Sequence, residues 1–155
     1  MAEIILENIE ATSRFAKAFG QLLQPDDVVC LQGDLGSGKT AFTRAAAIGM
    51  GIDSRLVASP SFAIMHQYSG KIPLYHFDFY RLGSGGEIIE LGFDELFYAA
   101  GVCIIEWPEI ADGFLPENRL IIEFTALDEN RRQLALSSAN QAWEERIKQF
   151  ISTYR

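Results

Sequence analysis

Val28-Val29-Cys30-Leu31-Gln32-Gly33-Asp34-Leu35-Gly36-Ser37-Gly38-Lys39-Thr40 is the stretch that decides the fold. Val28 to Gln32 is an apolar run ended by a glycine loop, which reads as a buried strand. From Gly33 onward the chain matches G-x-x-x-x-G-K-[ST] in full. Glycines let the backbone curl, so that N–H groups of Asp34, Leu35, Gly36, Ser37 and Gly38 face a phosphate chain. A helix starting at the loop's end adds the positive end of its dipole. Lys39 would reach the β- and γ-phosphates, and the Thr40 hydroxyl would take one Mg²⁺ position. A ligand-free glycine turn is the competing reading; the strand before and the helix after the loop weigh against it.

Working outward, Lys39 to Met50 places Phe42, Ala45, Ala46 and Met50 on one helical face, and Gly51 stops it. Upstream, Glu3 to Asn8 reads as a short strand. Thr12 to Gln24 carries Phe15, Ala18, Phe19, Leu22 and Leu23, the stripe of an amphipathic helix, and Pro25-Asp26-Asp27 breaks it. Downstream, Ser61 to Tyr68 and Ile72 to Phe79 form a hairpin around Ser69-Gly70-Lys71. Short helical segments follow a glycine-rich loop, Val102 to Glu106 is a second buried strand, and Arg119 to Thr125 and Gln133 to Ser138 are two more. Trp143, Ile147, Phe150 and Ile151 mark a C-terminal helix. With no repeat and no long linker, the expectation is one three-layer α/β domain over residues 1–155, of the P-loop NTPase kind. Its mixed sheet should hold the two buried strands near the centre and the hairpin toward an edge.

Three further segments carry chemistry. P-loop sites place an acid at the end of a neighbouring apolar strand, on the metal side, and Glu106 stands there. In His76-Phe77-Asp78-Phe79-Tyr80-Arg81, strand alternation sets His76, Asp78 and Tyr80 on one face and the two phenylalanines on the other. Asp78 is the candidate to position or deprotonate a water, against an Asp held in a structural network; His76 reads first as a half-buried, satisfied histidine. Ser59-Pro60-Ser61-Phe62 is either turn punctuation or a γ-phosphate sensor through Ser61.

Composition excludes several classes. Apolar residues make up 48% of the 155 and charged residues 22%, which is globular. No apolar run approaches the roughly 18 residues that span a bilayer, and the N-terminus lacks a signal-peptide pattern, so a cytoplasmic, membrane-free protein is expected. Cys30 and Cys103 lie in apolar runs and read as buried thiols. A net charge of -8 gives no basic footprint, so strong direct nucleic-acid binding is not expected.

Taken together, the phosphate loop, Ser59-Pro60-Ser61-Phe62, His76-Phe77-Asp78-Phe79-Tyr80-Arg81 and Ile105-Glu106-Trp107-Pro108-Glu109 resemble the TsaE (YjeE) family over nearly the whole chain. The resemblance implies an ATPase of tRNA threonylcarbamoyladenosine synthesis that is slow alone. It would act with TsaB and TsaD on adenosine 37 of tRNAs reading codons that begin with A, meeting tRNA through that complex. It implies ATP and Mg²⁺ as cofactors, Thr40 and Glu106 on the metal side, and Asp78, with Lys39, in hydrolysis. Thr12 and Arg131 match positions lining the nucleotide, with Arg132 as a register alternative, and Trp107 falls close to the site. Ser61 stands where the family has Thr, and Ala41 where a second Thr is common. A small-molecule kinase is the rival enzyme class, disfavoured by the lack of an arginine-rich lid; a nucleotide-gated binding module is the non-enzymatic rival.

Overall fold

In the computed structural model, which describes residues 1–57 and 63–154, strands and helices alternate through most of the chain. The strands are β1 (Ala2–Leu6), β2 (Val28–Gln32), β3 (Met65–Tyr68), β4 (Leu74–Asp78), β5 (Val102–Glu106), β6 (Leu120–Ala126) and β7 (Arg132–Ser137). The helices are α1 (Ile9–Leu22), α2 (Lys39–Gly49), α3 (Glu87–Glu90) and α4 (Gln141–Tyr154). Short 3-10 segments cover Ser54–Val57, Phe93–Tyr98 and Pro108–Phe114. Ser59-Pro60-Ser61-Phe62 lies outside the described residues.

The seven strands among the described residues form one sheet in the order β1-β7-β6-β2-β5-β4-β3. β2 pairs parallel with β5 and β6, and β4 pairs parallel with β5. The β3–β4, β6–β7 and β1–β7 pairs are antiparallel, so the sheet is mixed, as expected. β2 and β5 are central, which explains why neither shows the polar alternation of a solvent-facing strand. Each face of the sheet collects every second residue. Val29, Leu31, Val102 and Ile104 join Phe15, Phe19, Phe42 and Trp143 in one core, beneath α1, α2 and α4. Val28, Cys30, Cys103 and Ile105 join Phe77, Phe79 and Phe97 in a second, beneath α3 and the 3-10 segments Phe93–Tyr98 and Pro108–Phe114. Regular helices on one face and short ones on the other give the three layers.

Several boundaries move by a few residues, for local reasons. β1 stops at Leu6 because Asn8 caps α1, its Oδ1 accepting the Ala11 N–H at 2.7 Å. α1 therefore begins at Ile9, and Thr12 lies within its first turn, its hydroxyl donating to the Asn8 carbonyl at 3.2 Å. β7 starts at Arg132, one residue earlier than the pattern predicts. α4 is tied back to the turn before β2, where the Arg146 guanidinium donates to both Asp27 oxygens, each at 2.9 Å, and lies 4.1 Å from the Trp143 ring centroid.

α1 and α2 cross with almost no space between backbones. A Cβ built at Gly20 would sit 2.1 Å from the Ala46 carbonyl oxygen, and one at Gly49 would sit 2.0 Å from that of Lys17. Both obstacles are backbone, so relief requires the helices to part. Gly20→Ala should cost about 1–3 kcal/mol despite its better helix propensity, read as a lower denaturant midpoint at unchanged slope. An unchanged or raised midpoint would show that the crossing yields freely.

Candidate functional site

β2 delivers the chain to the phosphate loop at the carboxyl edge of the sheet. The loop turns through Gly33, Gly36 and Gly38, all at positive φ. Gly38, at φ 106°, is the residue from which α2 departs, and an L side chain there would be strained. The Ser37 hydroxyl is buried within this loop and makes no hydrogen bond among the described residues. Such a group raises the free energy of the folded state by about 1–3 kcal/mol until an acceptor meets it.

Lys39 opens α2 with only 4% of its surface exposed. Its Nζ donates to the Gly33 carbonyl oxygen and sits 3.4 Å from the Trp107 ring centroid, a cation–π contact. Burial pushes the ammonium below its ordinary pKa range; the carboxylates of Glu106, Glu109, Asp78 and Asp34 pull in the opposite direction.

Parallel pairing sets the other groups. Leu31 and Asp78 both stand opposite Glu106, so β2, β4 and β5 bring their carboxyl ends together at the start of α2. Glu106 is 3% exposed and uses both oxygens: Oε1 accepts from Thr40 Oγ1 at 2.8 Å, and Oε2 lies 2.6 Å from His76 Nε2. Asp78 Oδ1 accepts the Tyr80 N–H at 3.0 Å. Beyond the end of β4, Tyr80 is exposed and rests its ring 5.1 Å from that of Trp107. Trp107 itself has a left-handed backbone, φ 56°, fixed between the buried Glu106 and Pro108.

Lys39, Thr40, Asp78, Glu106 and Trp107 thus line one cavity of about 230 Å³ with Leu35 and Gly36. Beside it, on the far side of Gly38, Thr12, Ser13, Phe42 and Arg132 line a second of about 240 Å³. A third, of about 480 Å³, runs along Asp34, Leu35, Gly36 and Ser37 to Trp107, Glu109, Glu123 and Thr125.

Of the two neighbouring arginines, Arg132 reaches the loop: its Nε donates to the Ser37 carbonyl oxygen at 2.8 Å. Arg131 pairs with Asp128 at 2.8 Å, an exposed bridge. Arg132 is the first residue of β7, and Arg131 lies in the turn before it.

The His76–Glu106 bond has no signal in the sequence. His76 stands opposite Ile104, two pairs before Asp78 and Glu106 and on the same face of the sheet, so it reaches Glu106 diagonally across the β4–β5 ladder. Among the described residues no cluster of three or more His, Cys, Asp or Glu could hold a metal by itself. A hydroxyl and a carboxylate 2.8 Å apart suit instead a hard cation that keeps other oxygen ligands, as Mg²⁺ does with phosphates.

A family model described as threonylcarbamoyl adenosine biosynthesis protein TsaE matches residues 6–134, from the end of β1 into β7. The chain belongs to the TsaE family. It is 40% identical over 138 residues to the tRNA threonylcarbamoyladenosine biosynthesis protein TsaE of Bacillus subtilis, covering 88% of this chain and 85% of that one. It is 36% identical over 133 residues to the TsaE of Treponema pallidum, covering 86% and 98%. The crystal structure of YdiB from Bacillus subtilis superposes with a TM-score of 0.83 at 33% identity, covering 99% of this chain and 96% of that one. The matched region of this TsaE-family chain contains the phosphate loop, Asp78, Glu106 and Arg132, and ends before α4.

Proposed function

We propose that this TsaE-family protein is a Mg²⁺-dependent ATPase that works in threonylcarbamoylation of adenosine 37 of tRNAs reading codons that begin with A, with TsaB and TsaD as its partners in the cytoplasm. The observation that carries the proposal is the convergence of Lys39, Thr40, Asp78 and Glu106 on one cavity at the mouth of the phosphate loop. The unsatisfied Ser37 hydroxyl and the turned glycines fit a phosphate chain there.

Bound with Mg²⁺, ATP would supply an electrophilic γ-phosphorus and ADP as the leaving group. Lys39 would neutralise phosphate charge in a partly desolvated site, where a single cation counts for more than in water. The Thr40 hydroxyl already spends its proton on Glu106, so its lone pairs stay available to a cation. Asp78 keeps one oxygen on the Tyr80 N–H, which fixes the carboxylate and leaves its other oxygen to orient a water and take its proton. Thr12 and Arg132 would frame the part of the nucleotide beyond the phosphates, from the pocket behind Gly38.

The net charge of -8 fits a subunit that leaves tRNA contact to its partners. The test is ATP turnover by the purified chain, alone and with the TsaB–TsaD pair. Slow turnover that the pair raises several-fold is expected. Transfer of labelled γ-phosphate to a metabolite instead of water would establish a kinase and defeat the proposal.

A further inference from the structure

We propose that His76 is the positioning residue for Glu106, holding its carboxylate in the single orientation that presents Thr40 and the carboxylate edge to a bound Mg²⁺. The inference rests on the reading of Glu106 as the metal-side acid and deepens it. A carboxylate that is 3% exposed is costly unless its lone pairs are met. Glu106 has two donors, placed on opposite oxygens: the Thr40 hydroxyl at 2.8 Å and His76 Nε2 at 2.6 Å. An ionised carboxylate only accepts, so Nε2 carries the hydrogen of this bond, and the ring's other nitrogen is not the one engaged.

The geometry separates His76 from the groups that meet ligand. It is absent from the lining of the cavity formed by Lys39, Thr40, Asp78 and Glu106. It approaches Glu106 from the position opposite Ile104, two residues back along the strand from the carboxyl edge. The terminal torsion of a glutamate is broad, and one hydrogen bond leaves it free to swing. Thr40 alone cannot fix it, because Thr40 is itself a candidate ligand and its bond to Glu106 must accommodate a cation. A second anchor from behind removes that freedom without occupying the ligand side. Groups that orient metal ligands in this way commonly alter metal affinity by about 10- to 100-fold when removed.

The test uses the full chain and a fluorescent, non-hydrolysable ATP analogue, whose binding is titrated against Mg²⁺. Four forms are compared: the native protein, Glu106→Gln, His76→Met, which fills the space without a donor, and His76→Gln, which keeps one. His76→Asn, polar but too short to reach Glu106, replaces His76→Met if that variant does not fold. The expected result is about a tenfold higher Mg²⁺ requirement in the donor-free variant, with Mg²⁺-free affinity unchanged and most of the loss recovered in His76→Gln. A raised requirement in Glu106→Gln with none in the donor-free variant overturns the positioning role and leaves the metal-side reading intact. No change in either variant defeats the metal-side reading and this inference with it. Recovery of the unfolding midpoint but not of the Mg²⁺ requirement in His76→Gln makes the histidine structural only, and also overturns the inference.

Discussion

Asp78→Asn should lower partner-stimulated ATP turnover by about 10²–10⁴-fold while leaving nucleotide affinity within a small factor of native, the loss expected when a positioned general base is removed. The substitution is chosen for what it preserves. The asparagine carbonyl can still accept the Tyr80 N–H, so the turn that ends β4 keeps its anchor. Size and hydrogen-bonding shape remain, and what disappears is the charge and the ability to take a proton. Turnover under saturating ATP and the pair, set beside an equilibrium binding titration, checks both halves. A variant that turns over ATP normally removes Asp78 from the chemistry. One that loses turnover yet still supports tRNA modification in cells would favour nucleotide gating over hydrolysis.

Lys39→Met comes second in expected size. Lys39 is 4% exposed, bonded to the Gly33 carbonyl and set against Trp107, so a methionine of similar length can fill its place. The fold should survive, since burial already disfavours the ammonium that is removed. Triphosphate binding should not. Losing a desolvated charged partner costs about 2–4 kcal/mol, or about 30- to 1,000-fold in affinity. Calorimetric titration with ATP measures it, with circular dichroism confirming the fold. Affinity within threefold of native would mean that the loop amides alone hold the phosphates. Adenosine, which lacks phosphates, should be bound equally by both forms.

The phosphate loop and its strand were legible because their signal is local: glycines, lysine and threonine act at fixed offsets, and the strand beside them is apolar throughout. Glu106 was legible one level up, as a strand-end acid given meaning by the loop. Two features were not. The bond from His76 to Glu106 depends on how β4 slides against β5, and no residue pattern along either strand states that register. The bond from Arg132 to the Ser37 carbonyl joins residues 95 apart in the chain, and neither of the adjacent arginines carries a local pattern that states it. α1 could have been placed better, since Asn8 stands three residues before the Ala11 amide it caps and is a favoured N-cap type. The helix stripe drew the boundary to Thr12 instead, because an apolar period says nothing about a polar first turn.

Cys30 and Cys103, packed on the sheet face away from α1 and α2, both have thiols pushed up to about 12 by burial. At neutral pH such thiols yield almost no thiolate, the species that reacts with maleimides and disulfide reagents. The native chain is therefore a silent background for labelling. Leu35, 80% exposed at the tip of the phosphate loop, is the natural place for a single added cysteine, Leu35→Cys. A spin label or fluorophore there would watch the loop while ligand and partners come and go, with no need to strip the protein of its own sulfur.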